Sequence, residues 1–487
     1  MSGHLTARVL IYTHRWLGIV SGVLFVTWFV SGIVMMYARM PELSAEERLT
    51  RLPAINPATI RVLPPLEGNL TRLTLGTLEG RPVVRVSAGG KTELHFADTG
   101  DSVPLVDAEQ AIRIGRKFEG GHNTVRYDSR LTDADQWSFG VRGRMPVHRL
   151  VVDDPAGTKL YVTESGGDVV LRTTASGRFW GWTGAVLHWL YFTPLRRNAG
   201  LWNDVIVWSS IAGMVMCLVG IAWGFWRLSP IRGYRLRRER HWSPYAGWMR
   251  WHHYAGLIFG VVTTTWIFSG LLSMDPWDWH PSTAPTLEQR QRVSAGPIAG
   301  ADLTVDRLKA AVSGFAPQLP KEVEVVRFRG HYYAVATIGL VALDAPRLGF
   351  HDQLPADQMV GAANVAMGGT PIAGVSWLDR YDAYYYDRDG RLSLPVLRVR
   401  YDDPQRTWLY FDPKRGVIAR KEERLTRLNR WLYHGLHSLD FPFLYYQRPL
   451  WDVVVIVLSI GGIVLSATTL SASWRRVRRP FISVRRS

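Results

Sequence analysis

Residues 14–37 read HRWLGIVSGVLFVTWFVSGIVMMY, and residues 252–274 read HHYAGLIFGVVTTTWIFSGLLSM. Each run opens on histidine and holds no acid, and past Arg15 neither contains a lysine or arginine. At 1.5 Å per residue such a run crosses a hydrocarbon core of roughly 30 Å. Blocks 205–226 and 453–470 have the same character. Four spans are therefore expected, at 16–38, 202–226, 252–274 and 449–472. The first is too long for the apolar core of a signal peptide. Met35-Met36-Tyr37-Ala38-Arg39 is also not a small-residue cleavage site.

The charges lie between the spans. The 487-residue chain has 58 Lys+Arg against 41 Asp+Glu, a formal +17. Segments 1–15, 227–251 and 473–487 hold 15 arginines and the single acid Glu239, so they carry +14 of that excess. With four spans they share one face, and the positive-inside rule makes it the cytoplasm. The basic excess is topological: the expected partner is the lipid bilayer, and no nucleic acid is expected. Segments 39–177 and 275–426 then lie outside, with short elements at 178–201 and 427–448 leading back into the membrane. The lone cysteine, Cys217, excludes intramolecular disulfides, cysteine-ligated iron–sulfur clusters, an all-cysteine zinc site and a CxxCH haem attachment. No Walker A motif occurs, nor a GxGxxG between strand and helix.

The two opening runs also belong to a longer repetition. Thr27-Trp28-Phe29-Val30-Ser31-Gly32 matches Thr265-Trp266-Ile267-Phe268-Ser269-Gly270 at an offset of 238. Asp153-Asp154-Pro155 matches Asp402-Asp403-Pro404, Leu187-His188 matches Leu436-His437, and Trp202 matches Trp451, all at 249. Each unit reads span, outer segment, short helix, span. The expected fold is a membrane protein, mainly α in the membrane: a four-helix transmembrane bundle from two parallel tandem repeats, with two α+β extracytoplasmic domains. Helices are expected at 107–118 and 305–315. Strands are expected at 124–127, 136–141, 149–152, 159–163, 322–329, 332–337 and 408–411. Pro and Gly around 340–376 suggest no element there. The aromatic tract 377–386 reads either as packed on its own domain or as a ligand surface.

Histidines carry the candidate chemistry. His14 and His252 fall at equivalent positions on the cytoplasmic side, His188 and His437 on the outer side; His253 and His434 are near neighbours. Ionisable groups at membrane depth usually face the bundle interior. Imidazole pairs from facing helices can supply both axial ligands of a haem b. The expectation is two haems, one held by His14 and His252 and one by His188 with His437 or His434. Gly18, Gly256, Ser31-Gly32 and Ser269-Gly270 would admit a macrocycle or a neighbouring helix. Arg15, Arg178, Arg250 and Arg430 could meet propionates. Trp28 and Trp266 would lie between the two levels. The spans hold essentially no acid for a proton relay, Asp204 and Asp452 sitting at their outer ends, and no HExxH zinc motif occurs.

HRWLG opening a span, the outer helix 107–118 followed by strands and Asp153-Asp154-Pro155-Ala156-Gly157, and Leu-His before the next span together resemble the PepSY-associated transmembrane proteins. The resemblance covers nearly the whole chain. It implies PepSY-like outer domains and a place in the bacterial inner membrane with both termini cytoplasmic. It also implies an activity similar to ferric-siderophore reductases: electrons pass from a separate flavoprotein or quinol donor to a ferric siderophore or other ferric chelate, releasing ferrous iron in the periplasm. The same four histidines would be the haem-iron ligands. The alternative is a non-redox protein whose outer domains bind or regulate a peptide, a protease or an envelope partner.

Overall fold

The computed structural model describes residues 2–483 apart from 67, 237–238, 345–348 and 389. Arg237, Arg238, Arg485 and Arg486, counted above in the basic segments, lie outside the described residues. The chain divides into two compact units. One comprises Met1–Met40, Ser176–His280 and Leu428–Ser487; the other comprises Pro41–Ala175 and Pro281–Arg427.

The first unit contains four helices long and apolar enough to cross a membrane, Leu5–Met35, Ala199–Arg227, Trp248–Leu272 and Leu450–Ser471. They form a membrane protein's bundle, with lipid as the solvent of the exposed faces. The first packs on the second, the second on the third, the third on the fourth and the fourth on the first. Glycines let aromatic rings approach the neighbouring backbone. A Cβ on Gly462 would stand 2.3 Å from the Phe29 ring, and one on Gly213 2.9 Å from the Phe25 ring. The second span begins where the Asn198 side chain accepts from the Leu201 amide. The first and last helices reach into the stretches read as tails, covering Ser2–Met35 and Leu450–Ser483.

The short elements ahead of the second and fourth spans are not single helices, as the sequence suggested. Helix Ala175–Gly181 passes into a π-helical turn, Trp182–Val186, then one α turn, Leu187–Trp189. The element ahead of the fourth span runs Arg424–Asn429, π turn Arg430–Gly435, then Leu436–Ser438. Leu190 (φ 52°) and Leu439 (φ 49°) end both in the left-handed region. π turns of this kind recur at functional sites.

The second unit is α+β. The sequence reading assigns a domain to each outer segment, but strands of both share one antiparallel sheet. Its order is Phe350–His351, Gly339–Ala342, His331–Ala336, Val323–Phe328, Arg72–Leu78, Arg81–Ala88, Lys91–Phe96. At the seam Val323 faces Leu75 and Val325 faces Leu73, and both sides feed one core with Leu73, Leu75, Val84, Leu308, Val312 and Val325. Each segment adds a four-stranded antiparallel sheet, Val125–Leu131 to Val169–Thr173 and Ile372–Leu378 to Val417–Glu422. Asp107 caps helix Ala108–Phe118 through the Gln110 amide, and Val305–Ser313 is helical as expected. The strand expected at 136–141 is not formed. Asp135 Oδ1 accepts from the Trp137 amide and from both the amide and hydroxyl of Ser138, which folds the chain into a turn. Helix Ala356–Ala366 lies where no element was expected. In the aromatic tract Tyr385 is buried, stacked on Tyr410 at 4.8 Å, and donates to the Ser393 carbonyl.

Replacing Gly462 by Val should force Phe29 out of its seat and cost about 1–3 kcal/mol. A lowered thermal unfolding midpoint in detergent would register it, and an unchanged midpoint would show that the close approach is not tight.

Candidate functional site

Inside a bundle the backbone carbonyls are already used by the helices, so a buried imidazole N–H must find a carbonyl that can accept twice or a hydroxyl. The four repeat-equivalent histidines each do so. His14 Nδ1 lies 2.9 Å from the Met216 carbonyl oxygen. That carbonyl is reachable because Gly220, one turn on, carries no side chain: a Cβ there would stand 2.4 Å from the His14 ring. His252 Nδ1 lies 3.1 Å from Thr468 Oγ1, whose own proton goes to the Leu465 carbonyl. His188 Nδ1 meets Ser31 Oγ at 3.1 Å and the Trp28 carbonyl at 3.2 Å. His437 Nδ1 meets Ser269 Oγ at 3.0 Å and the Trp266 carbonyl at 3.2 Å.

A carbonyl only accepts, and the Ser31 and Thr468 hydroxyls spend their protons on helix carbonyls. Nδ1 is therefore the donor in these rings, and the neutral ring keeps its lone pair on Nε2. This is the tautomer a metal-binding histidine needs, held by the kind of outer partner that orients such ligands.

The rings come together in two pairs. His14 and His252 have ring centres 5.9 Å apart, His188 and His437 6.1 Å apart. Two imidazoles on one metal ion, at about 2.0–2.1 Å per bond, need ring centres roughly 6 Å apart. Among the described residues no group of three or more His, Cys, Asp or Glu could hold a metal ion by itself. Each site thus brings together two imidazoles and no third such group. Room for a large group exists at the first pair: a cavity of about 640 Å³, lined by His14, His252, Gly18, Gly22, Gly220, Phe25 and neighbours from all four helices. At the second pair, glycines face the rings: Gly32 toward His188 and Gly270 toward His437.

His14 and Ser31 are 17 residues apart, so the two levels are separated by about 25 Å along the first helix. Between them the rings of Phe25 and Trp28 stack at 5.8 Å, and Phe29 meets Trp266 at 5.8 Å.

Other sequence candidates take different places. His434 packs on Tyr433 at 4.4 Å, while the partner ring of His188 is that of His437. His253 has both nitrogens engaged, with Ser243 Oγ and the Gly224 carbonyl at 2.8 Å each. It fastens the loop between the second and third spans. Arg250 is bound to the same loop, at the Tyr245 carbonyl and His241. Arg430 is buried and donates to Asp440, tying the start of the second π turn to its exit. Arg15 alone of the four arginines lines the cavity. Gly220, Thr468 and the π turns were not singled out from sequence.

The family model described as the PepSY-associated TM region matches residues 11–476, nearly the whole chain. No curated protein matches it.

Asp440→Ala would leave the buried Arg430 guanidinium without that carboxylate, a loss of about 3–5 kcal/mol for a buried pair. The thermal midpoint should fall accordingly, and the Arg430→Met/Asp440→Leu double variant should recover part of the loss.

Proposed function

This chain belongs to the PepSY-associated TM family, and on that premise we propose that it is a membrane electron conduit carrying two b haems. It takes electrons from an external flavoprotein or quinol on the arginine-rich face and delivers them to a ferric siderophore or similar chelate on the other. The observation that carries the reading is the paired tautomers: four histidines with Nδ1 tied to carbonyl or hydroxyl oxygen, in two pairs about 6 Å between ring centres.

His14 and His252 would hold one group, His188 and His437 the other. Bound haem supplies reversible one-electron chemistry at its iron. The protein's residues do the rest. Met216, Thr468, Ser31 and Ser269 fix ring orientation and raise the basicity of Nε2. Gly18 and Gly22 line the space a macrocycle would take, Gly220 seats the His14 ring, and the phenylalanine and tryptophan rings between the levels exclude water. Ferrous iron is held by hydroxamate or catecholate oxygens far more weakly than ferric iron, so one electron suffices to release it. Three further features support the reading as two parallel repeats. The π turns are equivalent, the left-handed leucines are equivalent, and Trp202 and Trp451 donate alike to the Trp189 and Ser438 carbonyls. The arginine-rich segments support, by the positive-inside rule, a reading in which the termini would be cytoplasmic in a bacterial cell and the outer segments periplasmic.

Purified protein should contain two haems per chain by pyridine haemochrome. His437→Ala or His188→Ala should leave one, and His14→Ala should leave the other, with distinct reduced α-bands. Full haem content in all three variants would refute the ligand assignment.

A further inference from the structure

The cavity beside His14 and His252 is unequal along its length. On the first helix its lining runs from Ile11 to Phe25, about 21 Å at helical rise. Toward mid-span the walls are apolar, with Gly22, Phe25, Cys217, Leu257 and Gly260. The hydroxyls lining it there, of Thr263 and Ser466, are spent on the Phe259 and Gly462 carbonyls. At the other end, where the loop between the second and third spans joins the lining, stand Arg15, Trp223 and Tyr245.

Two strong donors are unspent at that end. Among the described residues the half-buried Arg15 makes no hydrogen bond or ion pair, and its guanidinium lies only over the Tyr12 ring, at 5.5 Å. The Tyr245 oxygen accepts from Trp223 Nε1 at 2.9 Å. That bond fixes the phenol in place and leaves its own proton without an acceptor among the described residues. The fold does not require a free arginine here. The equivalent position in the second half is His253, whose two nitrogens are both engaged within the protein. Pockets orient their ligands through a few such polar groups set on otherwise apolar walls.

We propose that Arg15 and Tyr245 form a carboxylate subsite, which turns the acidic edge of the macrocycle held by His14 and His252 toward the arginine-rich face. The inference rests on the electron-conduit reading. The guanidinium fork matches a carboxylate with two parallel N–H bonds, and the phenol donates a third. A carboxylate turned the other way would sit among apolar walls beside hydroxyls already spent, at the full cost of its lost hydration. The cavity therefore selects both an orientation and a chemistry: a planar apolar group with acids along one edge. Neither residue ligates the iron; both position the group that carries it.

The test uses the full-length His437→Ala chain, which should hold only the first group, purified without haem. It is titrated in detergent with haemin and with haemin dimethyl ester, whose esterified side chains carry no charge, and binding is read from the Soret band. Haemin should bind at least about tenfold more tightly than the ester. Adding Arg15→Gln and Tyr245→Phe should bring the two affinities to within about twofold, through loss of haemin affinity alone. Unchanged ester binding then shows that the fold and the histidine pair are intact. The preference before those two substitutions is a test by itself. Equal affinities there, or a preference that survives both substitutions, would overturn the subsite and leave the conduit standing. Uptake of neither compound would sink the conduit, and the subsite with it.

Discussion

The bundle depends on finding acceptors for four imidazole N–H groups where acceptors are scarce. A buried donor left unmade costs on the order of 1–3 kcal/mol, and within a membrane no water repairs the loss. The chain answers with a carbonyl freed by a missing side chain at Gly220, and with hydroxyls at Ser31, Ser269 and Thr468. These contacts also order the helices. His14 reaches the second span and His252 the fourth, while His188 and His437 press the π turns onto the first and third. Ring orientation and helix arrangement are thus one interaction seen twice.

The two levels differ in this respect. At one level a carbonyl alone holds His14, while His252 meets the Thr468 hydroxyl and the Leu465 backbone; at the other, serine plus carbonyl holds both rings. A carbonyl and a hydroxyl differ in how strongly they polarise the N–H, and hence in how much electron density reaches Nε2. The cavity is likewise found at the first level, where the glycines line it.

Much of the membrane part was legible in the sequence, because it is written locally: span length, the arginine-rich segments, and histidines recurring at fixed offsets. Which of His434 and His437 sets its ring beside that of His188 was not legible, because both lie in one short stretch and a π turn rather than an α turn sets their directions. The outer unit was less legible. Helix Ala356–Ala366 buries Met359, Ala362, Ala363 and Ala366 at proper helical spacing, but alanines and a central Gly361 give little apolar contrast. Asp135 turned an alternating stretch into a turn by capturing backbone amides. The shared sheet was hidden for a different reason: Leu75 and Val323 are too far apart in the chain for any local pattern to pair them.

That pairing has a further consequence. The seam is antiparallel and centres on Thr74 opposite Glu324. On the two-repeat reading these are like strands meeting head to tail, the contact by which a symmetric homodimer joins through one patch on each copy. The chain then resembles a dimer made permanent by fusion, its former interface lying mid-sheet. Parting the halves would bare two strand edges, Arg72–Leu78 and Val323–Phe328, each a template for pairing with any passing chain. Covalent linkage therefore protects against aggregation as well as bringing two histidine pairs into one polypeptide.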